Sequence, residues 1–319
     1  MTVRVVGEEE TRRLLPMADC VAAMGEVLAE LARGRLHNPL RSVVRPPDAS
    51  TLLGLMPAHR DGDEPVYALK AVVIAPENPK RGLDAHQGLV VVFDGTTGQV
   101  RGLVNASAIT AVRTAAVSGV ATRALARRGS RTLAILGAGV QAHAHLEAMR
   151  AVLPFERVVA WSRTPGRAAD LDGAEEAESA EDALRDADVV VTATTAREPI
   201  VRREWLKPGA HVNAVGSSIP TTRELDTATM AAAALFVDRR ESTVNESGDY
   251  LFAAREGAIG PEHIRAELGE VLAGDAEGRR DDDDLTVFKS LGLAVEDLAA
   301  AELVLRRAAA EGAGAVVEL

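Results

Sequence analysis

The chain has 319 residues and a formal net charge of −11 at pH 7. It is long enough for two domains, and its negative charge argues against nucleic acid or an anionic membrane as a partner. Cys20 is the only cysteine, which excludes an intrachain disulfide. The N-terminus lacks the apolar stretch of a secretory signal, and no apolar run approaches the roughly 18 residues of a membrane span, so we expect a cytoplasmic protein.

Residues 38–104 have the pattern of a sheet. Five apolar runs have the length of strands, namely 41–44, 51–56, 66–74, 88–93 and 100–104. Turn signals such as Asp61-Gly62-Asp63 separate them, and we expect mostly antiparallel pairing. A long helix is predicted over residues 108–126, ending near Gly129, because glycine favours the position just after a helix.

Residues 130–240 alternate between strand and helix patterns. Strands are predicted at 132–136, 157–161, 188–192, 211–215 and 234–238, and helices at 140–152, 165–171, 179–186 and 221–233. Such alternation is typical of a parallel sheet with helices on both faces. The tail from Thr286 to Ala310 has a helical pattern and is expected to return to the first domain. We therefore predict an α/β protein in which residues 116–285 form a Rossmann-type, doubly wound parallel sheet, and residues 1–115 with 286–319 form a discontinuous α+β domain.

A glycine-rich turn separates the strand predicted at 132–136 from the helix predicted at 140–152. It has the sequence Gly137-Ala-Gly139-Val-Gln-Ala142. Gly137 permits a sharp turn, Gly139 leaves room for a pyrophosphate, and Ala142 replaces the glycine that lets helix and strand pack closely. Because a helix N-terminus stabilises negative charge, this turn predicts a dinucleotide site.

The tip of the next strand, 157–161, bears on the choice of dinucleotide. An NAD-specific site usually has an Asp or Glu here, whereas this chain has Ser162-Arg163-Thr164. A guanidinium with two hydroxyls suits a 2′-phosphate. We therefore predict NADP(H) as the preferred cofactor, with NAD(H) as the alternative.

Three cations precede the dinucleotide motif. Lys70 lies in the apolar run 66–74, Arg41 stands at a strand start, and Arg113 lies in the first turns of the long helix. Each has an ordinary alternative: Lys70 on the open face of a strand, Arg41 on the surface, and Arg113 in a salt bridge. Together they suggest a clamp for a small carboxylate, because arginine binds a carboxylate bidentately and lysine acts as a point charge.

Four motifs carry a family resemblance. They are Thr110-x-x-Arg113-Thr114-Ala-Ala, the Gly137 turn, the segment from Gly209 through Gly216-Ser-Ser-Ile-Pro to Asp226, and the segment from Thr286 through Ser290-Leu-Gly292 to Asp297. In this order they resemble the ornithine cyclodeaminase/mu-crystallin family over nearly the whole chain. The resemblance implies a homodimer, with the first domain forming the dimer sheet and the substrate held between domains under the nicotinamide. It also implies that Arg41, Lys70 and Arg113 hold the substrate carboxylate.

The same resemblance predicts the cofactor contacts. Ser290 and Gly292 are expected to approach the nicotinamide end. The full set of cofactor-binding candidates is Thr114, Gly137, Gly139, Val140, Gln141, Ser162, Arg163, Thr164, Thr194, Val215, Gly216, Ser217, Ser290 and Gly292.

One position divides the family by chemistry. Its cyclodeaminase branch and similar alanine dehydrogenases carry an aspartate two residues after the glycine that matches Gly216, whereas this chain has Ser218. Serine is a poor base without an activating neighbour, but an α-imino acid accepts hydride without one. The segment resembles the mu-crystallin and ketimine reductase branch. Asp226 does not replace the missing base, because its position indicates a helix N-cap. His86, within a His-Gln pair similar to one in that branch, is a proton-donating candidate or an ordinary loop histidine.

These features predict an NAD(P)H-dependent reductase of a small α-imino acid such as Δ1-pyrroline-2-carboxylate or Δ1-piperideine-2-carboxylate. The catalytic candidates are Lys70, Ser218 and His86. One alternative is an ornithine cyclodeaminase or another amino-acid dehydrogenase, and another is a non-catalytic NADP(H)-binding protein similar to mu-crystallin. No metal site is expected, because the acidic run 281–284 lacks the glycine and the ligand spacing of a calcium loop.

Overall fold

The computed structural model describes residues 2–318. Its strands in this range are β1 (Thr2–Val6), β2 (Leu36–His37), β3 (Ser42–Val44), β4 (Leu52–Arg60), β5 (Val66–Ile74), β6 (His86–Asp94), β7 (Val100–Asn105), β8 (Thr132–Leu136), β9 (Arg157–Trp161), β10 (Glu175–Glu176), β11 (Val189–Thr192), β12 (His211–Ala214), β13 (Ala234–Val237), β14 (Ile264–Glu267), β15 (Thr286–Lys289) and β16 (Ala315–Glu318). Its α-helices are α1 (Glu8–Leu14), α2 (Met17–Ala32), α3 (Ala106–Leu125), α4 (Val140–Val152), α5 (Ala180–Leu184), α6 (Thr227–Ala232), α7 (Arg240–Glu246), α8 (Gly248–Arg255), α9 (Leu268–Ala273) and α10 (Ala294–Glu311). In the described part of the chain, no helix has both the length and the apolar character needed to cross a bilayer.

The chain divides into two compact units, and the first contains the residues up to Arg113 and those from Leu293 onward. Its sheet has the order β16-β1-β7-β6-β5-β4-β2, with β3 paired to β4. All pairings are antiparallel except that of β1 with β7. Helix α10 packs on β4, β5 and β6 and also contacts α2. In β5 the buried side chains are those of Val66, Ala68, Lys70 and Val72, so Lys70 belongs to the covered face.

The second unit, Thr114–Gly292, is built on a parallel sheet of order β10-β9-β8-β11-β12-β15-β13-β14. Its central strands contribute small apolar side chains, and the neighbours Val190, Val212 and Val287 are fully buried. Strand β8 lies between β9 and β11, so the connections leave it in opposite directions. Sheets of this type bind ligands at the carboxyl ends of the strands at such a switch point. The α/β architecture with a Rossmann-type sheet is therefore confirmed.

Several local predictions need correction. The helix expected at 165–171 is only a 3₁₀ turn (Ala168–Asp170), because Gly166 and Gly173 adopt left-handed backbone angles that interrupt a helix. The helix expected at 221–233 begins at Thr227, after its N-cap. By contrast, helix α3 agrees with the prediction of 108–126 to within two residues at its start and one at its end.

The C-terminal region also differs from the prediction. Residues Thr286–Lys289 form a strand between β12 and β13 of the second sheet, and the helix begins only at Ala294. Gly292, with a φ of 80°, separates the two elements. The division between the units accordingly falls after Gly292, whereas the sequence pattern placed it before residue 286.

Candidate active site

The glycine-rich turn begins directly after β8. Gly137 has a φ of 125°, and a Cβ at this position would lie 2.5 Å from the carbonyl oxygen of Ala193. Both the backbone angle and the close approach therefore require glycine. Gly139 is the N-cap of α4, and a Cβ there would meet open space. Ala142, by contrast, is fully buried against the sheet. This exposed helix N-terminus with free space beside it fits a dinucleotide pyrophosphate.

The other cofactor candidates of the second unit cluster at the carboxyl ends of its strands. Val140, 51 % exposed, and Gln141 begin α4, and Thr194 follows β11 by two residues. Val215, Gly216 and Ser217 follow β12, whereas Ser290 and Gly292 follow β15. Thr114 lies apart from these loops in the sequence, as a buried residue of α3.

The tip of β9 is polar and accessible. Ser162 is half-buried, while Arg163 and Thr164 are exposed. The Ser162 hydroxyl donates to the Thr164 carbonyl oxygen at 3.0 Å, and the Thr164 amide donates back to it at 3.2 Å. This small turn presents the Arg163 guanidinium to solvent at the strand end where a Rossmann fold binds the adenosine ribose.

A buried carboxylate, Glu224, joins two of the cofactor loops. Its Oε1 accepts hydrogen bonds from the Thr194 amide at 2.8 Å and the Thr194 hydroxyl at 2.7 Å. Its Oε2 accepts from the Gly216 amide at 2.8 Å and the Thr192 hydroxyl at 2.6 Å. Burial raises the pKa of Glu224, and the nearby Lys289 ammonium opposes that shift.

A second carboxylate holds the loop after β15. Asp238 accepts hydrogen bonds from the amides of Leu291 and Gly292 at 2.5 and 2.8 Å. The Ser290 amide donates to the Ala214 carbonyl oxygen at 3.1 Å. Its hydroxyl oxygen is buried and has no hydrogen-bond partner in residues 2–318. The loop is thus held by its backbone, while the Ser290 hydroxyl retains its bonding capacity.

In the first unit, two of the three predicted cations share one carboxylate oxygen. Lys70 donates to Asp297 Oδ1 at 3.1 Å, and Arg113 Nε donates to the same oxygen at 2.9 Å. Arg113 Nη1 also donates to Glu296 Oε2 at 2.8 Å. Arg41, directly before β3, is close enough to lower the pKa of Lys70. The salt bridge proposed as the ordinary alternative for Arg113 therefore exists, and Lys70 is buried rather than on an open face.

Burial and like charge set the protonation of this cluster. Burial lowers the pKa of Lys70 to about 8, Asp297 opposes the shift, and Arg113 and Arg41 add to it. His86 is the first residue of β6 rather than a loop residue, and it pairs with Ile74. Burial, Lys70 and Arg113 lower its pKa, with a smaller opposing contribution from Asp84. The His86 imidazole is therefore mostly neutral at pH 7 and can donate a hydrogen bond through its single N–H.

Residues 2–312 match the model of the ornithine cyclodeaminase/mu-crystallin family. The chain belongs to this family. Ketimine reductase mu-crystallin of Mus musculus is 41% identical to it over 276 residues, covering 85% of each sequence. The solved structure of Thermococcus litoralis Δ1-pyrroline-2-carboxylate reductase in complex with NADH and L-proline has a TM-score of 0.95 and 35% identity, covering 98% of this chain and 99% of that one. An archaeal alanine dehydrogenase dimer with bound NAD has a TM-score of 0.94 and 32% identity, with both chains fully covered.

This member of the ornithine cyclodeaminase/mu-crystallin family has Ser218 in the turn after β12. The residue is half-buried, and its amide donates to the Gly216 carbonyl oxygen at 3.1 Å. Asp226 caps α6 by accepting from the Thr229 amide at 2.8 Å, which confirms the predicted N-cap. Its carboxylate is thus committed to the helix end.

Sequence reasoning did not identify four carboxylates that bond predicted site residues or their loops: Glu224, Asp238, Glu296 and Asp297. All are buried. Glu224, Glu296 and Asp297 lie within the quoted motifs, and Asp238, Glu296 and Asp297 are next to small and apolar residues. An acid next to such residues is a usable signal, because a buried carboxylate needs several donors or a cation.

Proposed function

We propose that this chain is an NAD(P)H-dependent reductase of a small α-imino acid, of the Δ1-pyrroline-2-carboxylate or Δ1-piperideine-2-carboxylate type. The observation that carries the proposal is that the Lys70 and Arg113 side chains both donate to Asp297 Oδ1 in the first unit, with Arg41 near enough to lower the pKa of Lys70. Two cations from distant parts of the sequence lie together in a buried cluster, as a clamp for an organic acid requires. The names of the relatives at 41% and 35% identity favour an imine over other acids.

In this reaction the clamp holds the substrate carboxylate. Asp297 keeps the Lys70 and Arg113 side chains in place, because both donate to its Oδ1. The dinucleotide, when bound at the Gly137 turn, supplies the hydride that reduces the C=N carbon. Positioning of this kind accounts for most of the rate enhancement that the protein itself must provide.

Ser218 favours reduction over oxidation. Oxidation of an amino acid requires a base that removes a proton from the ammonium group, and serine without an activating neighbour does this poorly. A protonated imine needs no such step, because it is already electrophilic at carbon. The Ser218 hydroxyl oxygen is assigned to accepting a hydrogen bond from the N–H of the protonated imine. The neutral His86 imidazole, whose unprotonated ring nitrogen is also an acceptor, is assigned to orienting the same N–H.

The preferred cofactor is assigned as NADP(H). The related structures contain NADH or NAD, so the assignment depends on the tip of β9 in this chain. There, exposed Arg163 and Thr164 stand beside Ser162. A guanidinium pairs with a 2′-phosphate more strongly than with a ribose hydroxyl, which favours NADPH.

A homodimer formed through the first sheet is part of the proposal. Tyr67 and Val73 of β5 lie on the face opposite Lys70, and they are 50% and 39% exposed. Leu89, 38% exposed, lies on the same face because β6 pairs it with Ala71. An exposed apolar sheet face is typical of a protein interface, and the related alanine dehydrogenase is a dimer.

The activity is tested by following NADPH and NADH oxidation with each of the two cyclic imines. We expect turnover with NADPH, and a lower KM for NADPH than for NADH. Ammonia release from ornithine with NAD would instead establish the cyclodeaminase alternative. Tight NADPH binding without turnover of any α-imino acid would establish a non-catalytic binding protein, and it would overturn the proposal.

Arg41→Met tests the clamp, with Arg45→Met as the matched control. The two arginines flank β3, but Arg45 is exposed. Losing one charge-assisted hydrogen bond of about 1.5–3 kcal/mol should raise the KM for the imine by roughly 10- to 100-fold. The KM for NADPH should not change, and Arg45→Met should behave like the wild type. Equal effects of the two variants would remove Arg41 from the site.

A further inference from the structure

Glu224 has no part in the proposed reaction, yet its carboxylate accepts hydrogen bonds from two different loops. It is fully buried. Each of its carboxylate oxygens accepts one backbone amide, that of Thr194 on Oε1 and that of Gly216 on Oε2, both at 2.8 Å. The two amides belong to different loops, one after β11 and one after β12. Glu224 therefore joins the carboxyl ends of two adjacent parallel strands.

The two loops are in close contact at Gly216. A Cβ at Gly216 would lie 2.2 Å from the Thr194 carbonyl oxygen and 2.4 Å from Glu224 Oε1. The backbone of Gly216 is therefore pressed directly against both. Two residues further on, the chain reaches Ser218, so the position of Gly216 sets where the following turn begins.

The Glu224 backbone is itself held by a buried ion pair. Asp249 Oδ1 accepts hydrogen bonds from the amides of Glu224 and Leu225 at 2.7 and 3.0 Å. Asp249 Oδ2 accepts from the Lys289 ammonium at 3.0 Å, and neither of these side chains is exposed. Lys289 ends β15, directly before Ser290. Strands β11, β12 and β15 are thus connected at their carboxyl ends by three charged side chains.

Such a network is hard to explain by stability alone. Buried ions lose hydration, and well-packed apolar residues of similar volume usually stabilise a fold as well or better. A carboxylate, however, can accept two amides from two directions at once, which no apolar group can do. The arrangement therefore defines loop positions rather than adding stability.

We propose that Glu224 is a positioning residue that holds the loops of Thr194 and Gly216 in the geometry that receives the nicotinamide end of the cofactor. The proposal rests on the proposed function in taking Thr194 and Gly216 as cofactor contacts, and it adds that they lie at the nicotinamide end. It predicts a selective defect, because the Gly137 turn, which fits the pyrophosphate, makes no hydrogen bond to Glu224 in residues 2–318.

Glu224→Gln is the test, because it keeps the shape of the side chain but replaces one acceptor oxygen with an NH₂ group. The backbone amide of either Thr194 or Gly216 then faces the NH₂ group of the glutamine in place of an acceptor oxygen. We expect the dissociation constant of NADPH to rise by about tenfold or more, as for one lost hydrogen bond to a charged group. The dissociation constant of ADP-ribose 2′-phosphate, which lacks nicotinamide, should change by less than about twofold. Where the imine is turned over, kcat/KM should fall by about 100-fold, the effect expected of a small misplacement of the reacting groups.

Asp188→Asn is the matched control at the amino ends of two strands of the same sheet, β8 and β11. Asp188 Oδ2 accepts the amides of Arg131 and Thr132 at 2.7 and 2.9 Å, beside the start of β8. This variant should lower the melting temperature but leave the binding ratio of NADPH to ADP-ribose 2′-phosphate unchanged. If Glu224→Gln does not fold, Glu224→Asp is measured in the same way, since its shorter side chain cannot reach both amides.

Equal weakening of both ligands in the Glu224 variants, or no weakening of either, would overturn the positioning role. The binding ratio can be measured without any turnover. Failure of the wild-type protein to reduce imines would therefore reject the proposed function while leaving this inference open to its own measurement.

Discussion

Lys70→Met separates what this side chain does for the fold from what it does for the substrate. Lys70 is 2% exposed and shares Asp297 Oδ1 with Arg113. Methionine has a similar length and no charge. After the substitution, Asp297 still pairs with Arg113 at 2.9 Å, so no buried charge loses its last partner. The variant should therefore escape the usual cost of breaking a buried ion pair.

The size of the effect follows from the protonation of Lys70. Its pKa is about 8 in the folded chain, against an ordinary value of 10.5. At roughly 1.4 kcal/mol for each pH unit, this gap is a penalty on the order of 3 kcal/mol for keeping the ammonium charged inside the fold. Between pH 8 and 10.5 the unfolded chain binds more protons at Lys70 than the folded chain, so wild-type stability rises with pH through this window. Below pH 8 the penalty is fully present.

We therefore expect Lys70→Met to be more stable than the wild type at pH 7, with a melting temperature higher by about 5–10 °C. The difference should shrink as the pH approaches 10.5. Its kcat/KM for the imine should nevertheless fall by roughly 10- to 100-fold, because one charge-assisted bond to the substrate carboxylate is lost. Asp297→Asn should do the opposite to stability, since it leaves two buried cations without their shared anion, at a cost of about 3–5 kcal/mol.

Thermal unfolding of the three proteins at pH 7 and pH 10, with steady-state kinetics at pH 7, measures these effects. A Lys70→Met protein that is destabilised at pH 7 as strongly as Asp297→Asn would refute the reasoning. It would mean that Asp297 requires the Lys70 charge, and that this charge does not lower the stability of the folded chain.

Four further predictions concern the cofactor and the imine nitrogen. Gly137→Ala should lower both the melting temperature and NADPH affinity because of the φ of 125°, whereas Gly139→Ala, with open space around its Cβ, should lower only the affinity measured by calorimetry. Arg163→Ala should raise the KM for NADPH by about 10- to 100-fold and leave that for NADH within about twofold; an equal change for both would argue against a 2′-phosphate contact. Ser218→Asp should increase the rate of proline or pipecolate oxidation by about 100-fold by supplying a base, and an unchanged rate would count against the assigned position. Because burial lowers the pKa of His86, its break in the pH profile of kcat/KM should lie below pH 6.5 and disappear in His86→Asn.

The glycine turn shows what local sequence determines well. The predicted strand 132–136 and helix 140–152 have the same bounds as β8 and α4. An apolar β-branched run, two glycines and a helical period are all short-range signals, and short-range sterics decide such a turn. The 66–74 strand was equally well defined for the same reason.

The burial of Lys70 and the strand at Thr286–Lys289 could not be predicted locally, because both depend on residues that are distant in the sequence. A single lysine among apolar neighbours indicates a strand, but it does not tell which face of that strand is covered. Lys70 is buried because α10 packs on β5, and its partner Asp297 lies 227 positions away in the sequence. Likewise, four residues from Thr286 to Lys289 are too few to show a period, so their strand conformation follows from their place between β12 and β13.

The amino-acid sequence by itself therefore determined the type of fold and the glycine-rich turn at Gly137, because each of these leaves a pattern within a few neighbouring residues. The role of the three cations stays a prediction. Only the tertiary structure decided that buried carboxylates hold those parts in place. Glu224 bonds two loops and Asp297 bonds two cations through contacts that span 8 to 227 residues. No local pattern specifies such pairings, since they exist only once the strands and helices have packed.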